Sequence, residues 1–263
     1  MPRKALFVSH GGGPLPLLGD VGHQDLVSCL KRIAGQIDKP SLIVVVSAHW
    51  ETAVPHMTAA PQPPLLYDYY GFPEASYRIT YPCPGSPALV DALQAMLSKN
   101  GFESIADRER GFDHGLFVPL KIMYPEADIP CVQLSLFEDL DAEKHIRLGK
   151  ALQQITDDNI LLLGSGFSFH NMKAFFASTS PETENMNKVF ERWLIETMSS
   201  KDISESERRK RLVQWDEAPH ARYCHPREDH LLPLHVCYGF MERPCLQAYE
   251  ISVLNKRASM YLW

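Results

Sequence analysis

Short, wholly apolar runs recur along this chain and predict its strands. Residues 6–8 and residues 42–46 are apolar throughout, and each run leads within three residues to a histidine. A run of this kind, flanked by glycine or proline, is typical of a strand buried on both faces of a parallel sheet. The apolar run of residues 160–163 predicts a further buried strand, and the partly apolar stretches of residues 129–136, 249–253 and 259–262 predict others.

Apolar residues at helical spacing alternate with these strands. Positions 26, 27, 30, 33 and 34 predict a helix over residues 23–37, and Pro87 suits the first position of a helix that runs through residue 97. Further helices are predicted over residues 116–123, 142–155, 185–198, 204–215 and 230–238, and a long ordered loop with short strands over residues 55–87. This alternation predicts an α/β protein, organised as one domain over residues 1–263.

Composition and charge narrow the range of partners. The chain has 263 residues, and its net charge of -6 argues against a general affinity for nucleic acid or for an anionic membrane. The basic run of residues 208–211 follows two glutamates, which favours the solvated face of a helix over a binding patch.

A cytoplasmic protein with reduced thiols is expected. The apolar residues before His10 are too few for the apolar region of a signal peptide, and no stretch is long enough to span a bilayer. The six cysteines are scattered and form no C-x-x-C pair, which favours free thiols over disulfides.

Histidines stand at the ends of predicted strands. His10 and His49 each follow an apolar run, and His170 follows the strand predicted at residues 160–163. The ligand site of an open α/β sheet lies beyond the carboxyl ends of its strands, so these imidazoles can converge on a metal ion. Any one of them alone would be interpreted as a structural histidine, whereas the shared context favours a site.

Several motifs in fixed order resemble a known family. They are Ser9-His10-Gly11-Gly12-Gly13-Pro14, Val46-Ser47-Ala48-His49-Trp50, Gly71-Phe72-Pro73, Tyr81-Pro82-Cys83-Pro84-Gly85-Ser86-Pro87, Gly111-Phe112-Asp113-His114-Gly115 and Gly166-Phe167-Ser168-Phe169-His170-Asn171. Together they resemble the LigB-like class III extradiol ring-cleaving dioxygenases, in the branch of DOPA 4,5-dioxygenase-like proteins of bacteria and plants. The resemblance implies a three-layer α/β/α domain around a central, mostly parallel sheet, with one metal ion at the strand ends.

The resemblance also implies roles for the histidines. His10, His49 and His230 match metal ligands, although more distant members have a glutamate where this chain has His230. His170 matches an acid/base in distant members and a metal ligand in this branch, and both roles stay open. His114 matches a histidine that contacts the substrate or supports the site, so His114 and His170 are the catalytic candidates. Asp113 either orients an imidazole or only forms a turn.

The metal and the substrate follow from the same resemblance. One divalent ion per chain is expected, with Fe(II) as the working ion and Zn(II) able to occupy the same imidazoles in a crystal. The partners are a small catechol and O2, with no nucleic acid and no membrane, and the chain is expected as a monomer or small homo-oligomer. The aromatic loop of residues 66–73 either walls a flat pocket or packs in the core.

Two other functions stay open at this point. A zinc hydrolase that activates water is compatible with a histidine-rich site at strand ends. A non-catalytic binding protein of the same wider fold, as the Memo family is thought to be, is also compatible. The ordered run of histidine-bearing motifs favours the extradiol dioxygenase.

Overall fold

Eight strands form one mixed sheet in the computed structural model, which describes residues 4–155 and 159–263. They are β1 (Lys4–Ser9), β2 (Leu42–Thr52), β3 (His56–Thr58), β4 (Ile105–Asp107), β5 (Cys131–Phe137), β6 (Ile160–Gly166), β7 (Gln247–Val253) and β8 (Lys256–Leu262). Their order in the sheet is β4-β3-β5-β2-β6-β1-β8-β7. The central strands β5, β2, β6 and β1 are parallel, whereas β3 is antiparallel to β5, and β8 is antiparallel to both β1 and β7.

The helices lie close to the predicted positions. They are α1 (Gln24–Ala34), α2 (Pro87–Lys99), α3 (His114–Met123), α4 (Ala142–Leu152), α5 (Met172–Phe176), α6 (Pro181–Ser199), α7 (Glu205–Val213), α8 (Ala221–Cys224) and α9 (Leu232–Met241). The last predicted helix begins two residues late, so His230 stands in the turn before α9. Within the residues that the structure describes, no helix is both long and apolar enough to cross a membrane.

Two consecutive residues of β6 show that the sheet is covered on both faces. A Cβ atom added to Gly164 would lie 2.6 Å from the carbonyl oxygen of Pro233 in α9. Ser165, whose side chain points to the other face, donates a hydrogen bond to the carbonyl oxygen of Gly115 in α3. Because successive side chains of a strand point to opposite faces, α9 and α3 lie on opposite sides of the sheet. The expected α/β/α fold is confirmed.

The structure agrees with the ordered loop predicted at residues 55–87 and with the free thiols predicted for the cysteines. Residues 55–87 contain β3 and a 3-10 turn at Glu74–Arg78, so the segment is an ordered loop with little regular structure. All six cysteines are buried free thiols.

The prediction of a solvated basic run is wrong at one position. The side chain of Arg208 in α7 is fully buried. Its Nη2 donates to the carbonyl oxygen of Ser200 at 2.6 Å, and its Nε donates to the carboxylate of Glu205 at 3.1 Å. A buried guanidinium is tolerated when its donors are satisfied and its charge is paired, and helical spacing alone does not report such partners.

Candidate metal and catalytic site

The structure brings His10, His49 and His230 together at the carboxyl end of the sheet. His10 follows β1, His49 lies in β2, and His230 precedes α9. The Nε2 atoms of His10 and His49 are 3.1 Å apart, and the His230 ring lies 5.3 Å and 4.8 Å from the rings of His10 and His49. One ligand atom from each of the three lies within 4.8 Å of the others.

A local irregularity in β2 accompanies the placement of His49. The pairing of β2 with β5 shifts register between Val46 and Glu51, so the pairing is irregular around His49. Irregularities such as β-bulges re-aim side chains and are common beside active sites. The imidazole of His49 therefore stands where the regular pairing of β2 with β5 is interrupted.

Hydrogen bonds at Nδ1 set the tautomers of two of these histidines. The Ser165 hydroxyl donates to the Gly115 carbonyl, so it accepts from Nδ1 of His10 at 2.9 Å. Nδ1 of His230 donates to Oδ2 of Asp229 at 2.7 Å. Both rings therefore keep an unprotonated Nε2, and partners of this kind orient and tune metal-ligating histidines in proteins.

Burial keeps the cluster neutral. Desolvation lowers the pKa of His10, His49 and His230 well below the ordinary value, and neighbouring imidazoles lower each pKa further. The neutral imidazole is the form that binds metal.

The donor set fits a divalent transition metal. Nε2 of His10 carries no proton, so its lone pair is available to a cation beside Nε2 of His49. At metal–nitrogen distances of about 2.0–2.1 Å, neighbouring ligand nitrogens are separated by about 2.8 Å at octahedral angles to about 3.4 Å at tetrahedral angles. The Nε2 atoms of His10 and His49 are 3.1 Å apart. Three imidazole ligands suit both zinc and iron, so the ligand set is compatible with either metal.

His170 lies against the ring of His230. The two rings are stacked, with centroids 3.4 Å apart and planes inclined by 14°. In the described part of the chain, His170 groups with Asp229 and His230, whereas His230 also groups with His10 and His49. Burial lowers the pKa of His170. His170 therefore adjoins the cluster of His10, His49 and His230. This location is compatible both with a metal ligand and with an acid/base.

His114 lines the same site from the start of α3. Its ring centroid is 3.9 Å from that of His49 and 5.4 Å from that of His10. Its Nδ1 lies 2.7 Å from Oδ1 of Asp68. Asp113 instead caps α3 through the Gly115 N–H, so it is a turn residue and not the carboxylate that contacts the His114 ring.

The aromatic loop lies beside His114 and also packs internally. The Tyr69 ring is 5.8 Å from the His114 ring, and its hydroxyl donates to the carbonyl oxygen of Ser76. Burial raises the pKa of Tyr69 to about 12, so the phenol is neutral at physiological pH. Tyr70 is 91% exposed. The loop therefore combines core packing with a wall of the site.

Sequence reasoning missed the partners of the histidines, which are Ser165, Asp68 and Asp229. Asp229 precedes His230 directly, and this adjacency was the one local signal. Asp68 and Ser165 meet their histidines across 46 and 155 residues of chain, which no local pattern reports.

Comparisons with known proteins identify the family of this chain. A family model described as the catalytic LigB subunit of aromatic ring-opening dioxygenase matches residues 16–257. Dioxygenase tasH of Hapsidospora irregularis is 37% identical and aligns over 98% of this chain and 84% of its own length. The 4,5-DOPA dioxygenase extradiol of Beta vulgaris is 35% identical over 90% of this chain and 86% of its own length.

A solved structure shows the same fold. An uncharacterized protein from Escherichia coli K12 has a TM-score of 0.78 to this chain at 29% identity, with 99% of both chains covered. The family model and the curated relatives together cover nearly the whole chain. The chain therefore belongs to the LigB family, and it is an extradiol aromatic ring-opening dioxygenase of the class III superfamily.

Proposed function

We propose that this protein opens the ring of a catechol-type substrate, DOPA or a related compound, with O2 at the site formed by His10, His49 and His230. The observation that carries the proposal is the convergence of three neutral imidazoles at one edge of the sheet, two of them buried and that of His49 half-buried. Relatives named as 4,5-DOPA dioxygenases support the substrate class.

The three histidines would hold one divalent metal ion, Fe(II) in the working enzyme. When bound, Fe(II) supplies open coordination positions and redox chemistry that join a catecholate to O2. The chain's own part is to keep the ligands neutral and oriented, through Ser165 at His10 and through Asp229 at His230. Burial of His10 and His230 also limits the access of bulk water to these two rings.

Two further imidazoles are available for proton transfer. A base must accept a proton from a catechol hydroxyl, and an acid must later return one. We assign the first role to His114, whose ring lies against that of His49. His170, stacked on His230, is either the proton donor or a fourth metal ligand.

The experiment that tests this function compares two metals in one protein. Protein reconstituted anaerobically with Fe(II) should consume O2 with a catechol and form a yellow ring-opened product. Zinc-loaded protein should bind the catechol without turnover, because Zn²⁺ has no redox chemistry. Hydrolysis of esters or amides by the zinc form, with every catechol left intact by the iron form, would instead establish the zinc hydrolase. Catechol binding with no turnover by either form would favour a binding protein.

Matched variants connect that activity to the cluster. His49→Ala should lose both metal retention and turnover, since it removes one of three donors. His220→Asn is the control: His220 is exposed and has a φ of 60°, a backbone conformation that asparagine tolerates. Its metal content and turnover should match those of the wild type.

A further inference from the structure

A carboxylate from the aromatic loop holds both the backbone and the ring of His114. Oδ1 of Asp68 accepts from the backbone N–H of His114 at 3.0 Å and from its Nδ1 at 2.7 Å. Oδ2 of the same carboxylate lies 3.7 Å from Nδ1 of His49. One side chain thus touches the proposed base and a proposed metal ligand.

This arrangement sets the protonation pattern of the His114 ring. A carboxylate oxygen accepts, so Nδ1 of His114 carries the proton. Nε2 is then unprotonated, and it makes no hydrogen bond to any residue that the structure describes. The Asp68 carboxylate is thus the hydrogen-bond partner that fixes this tautomer.

The backbone fixes Asp68 relative to His114. Leu66 donates its N–H to the carbonyl oxygen of Phe112 at 2.7 Å, and Phe112 donates to that of Pro64 at 2.8 Å. The two segments approach so closely that a Cβ atom on Gly111 would lie 2.5 Å from the Pro64 oxygen. Backbone hydrogen bonds thus join the segment before Asp68 to the segment before His114, and they hold the carboxylate beside the start of α3.

We infer that Asp68 is a positioning residue for ring cleavage: it holds His114 as the Nδ1-protonated tautomer, so that Nε2 accepts a proton from the catechol hydroxyl. In this step the substrate O–H bond breaks, its electron pair stays on oxygen, and the proton binds Nε2. The products are a catechol monoanion and an imidazolium, and the Asp68 carboxylate stabilises the imidazolium. The inference rests on the proposed function for the identity of the proton donor.

The first test reads the tautomer without metal or turnover. In metal-free protein with ¹⁵N-labelled histidine rings, His114, assigned by its loss in His114→Ala, should show a protonated Nδ1 and an unprotonated Nε2. Asp68→Ala should convert a large share of His114 to the Nε2-protonated form, and Asp38→Ala, which changes an exposed aspartate, should not. An unchanged tautomer in Asp68→Ala would overturn the inference.

The second test asks whether the defect depends on the acidity of the substrate. In Fe(II)-loaded protein of equal metal content, Asp68→Ala should lower kcat for unsubstituted catechol roughly 10²-fold. With 4-nitrocatechol, whose acidic hydroxyl is already ionised at neutral pH, the ratio of wild-type to variant kcat should fall to within about threefold, because no base is needed. Asp68→Asn keeps an accepting oxygen and should show an intermediate defect on catechol.

The outcomes separate this inference from the proposed function. An equal loss on both substrates, in both the alanine and asparagine variants, would show that Asp68 does not act through a base. Wild-type protein that turns over no catechol would contradict the proposed function, and the tautomer measurement would still decide whether Asp68 positions His114.

Discussion

Glu191 is a carboxyl group that the fold buries on α6. Its Oε2 accepts from the Ser259 hydroxyl at 2.7 Å, while its Oε1 has no hydrogen-bond partner in the described part of the chain. Burial raises the pKa of Glu191 to about 7, because the charged form loses its hydration. The residue is consequently a source of pH dependence away from the histidine cluster.

Glu191 should make the folded state less stable as the pH rises. Below the unfolded pKa of about 4.5 both states hold the proton, and between about 4.5 and 7 only the folded state does, so stability falls across this window. The shift corresponds to about 3–4 kcal/mol at most, with one pKa unit equal to about 1.4 kcal/mol.

Glu191→Gln removes this titration. The variant should be more stable than the wild type at pH 8 and should lose that advantage near pH 4.5, as measured by urea denaturation at both values. An advantage of equal size at both pH values would contradict the ionisation argument.

The shared location of the histidines could be predicted from the sequence, whereas the hydrogen-bond partners that set their protonation could not. His10 and His49 follow apolar runs, so their shared edge of the sheet could be inferred from the pattern alone. The proton positions on the rings depend on Ser165, Asp229 and Asp68, and two of these are brought in by long-range contacts. The ligand and acid/base roles of the individual histidines stay predictions.

At the scale of elements, glycines in β6 allow the segment that carries His230 to contact the sheet. A Cβ atom on Gly166 would lie 2.1 Å from the carbonyl oxygen of His230, and that oxygen accepts from the N–H of Phe167 at 2.9 Å. The strand end and the turn before α9 are thus in backbone contact, and a side chain at position 166 would push them apart.

Gly166→Ala should disturb both stability and the site. Overpacking of this kind lowers the free energy of unfolding by about 1–3 kcal/mol, and here the displaced atom belongs to a proposed ligand. We expect weaker Zn²⁺ binding by metal titration, together with a lower urea midpoint. Gly35→Ala is the control, since the nearest atom to its Cβ would be 3.6 Å away. Unchanged metal affinity in Gly166→Ala would show that His230 is positioned independently of β6.

The positions of helices and strands along the chain could be predicted from the spacing of apolar residues, whereas the pairing of strands in the sheet could not. Each predicted helix and strand has a counterpart, because apolar spacing reports which side of an element is buried. The antiparallel contacts of β8 with β1 and of β3 with β5 join segments far apart in the chain. Such pairings arise from the packing of the whole sheet, and a local pattern does not contain them. The single-domain organisation stays a prediction.

At the scale of the whole molecule, the clustered imidazoles come from both ends of the chain. His10 and His49 belong to the first fifth of the sequence, and His230 stands near its end. In the unfolded chain these side chains are far apart, so a metal ion that binds all three binds the folded state preferentially.

Metal should therefore stabilise the fold. Free Zn²⁺ at about 100 times its Kd should add about 2.7 kcal/mol to the free energy of unfolding. For a chain of this size, that corresponds to a rise in Tm of roughly 5–10 °C. Differential scanning calorimetry with and without a chelator measures the shift. An equal rise in His49→Ala would show that the ion binds elsewhere.

The position of β1 in the sheet has a consequence for synthesis on the ribosome. Of the eight strands that the structure describes, β1 is made before the others, and its partners are β6 and β8, whose residues Leu161 and Leu262 lie opposite Lys4 and Leu6. At about 5–20 residues per second, its first partner emerges roughly 8–30 s later. During that interval an apolar strand has both edges unpaired, and such edges invite association with other chains. Newly made protein should thus need protection from aggregation until its last strand has emerged.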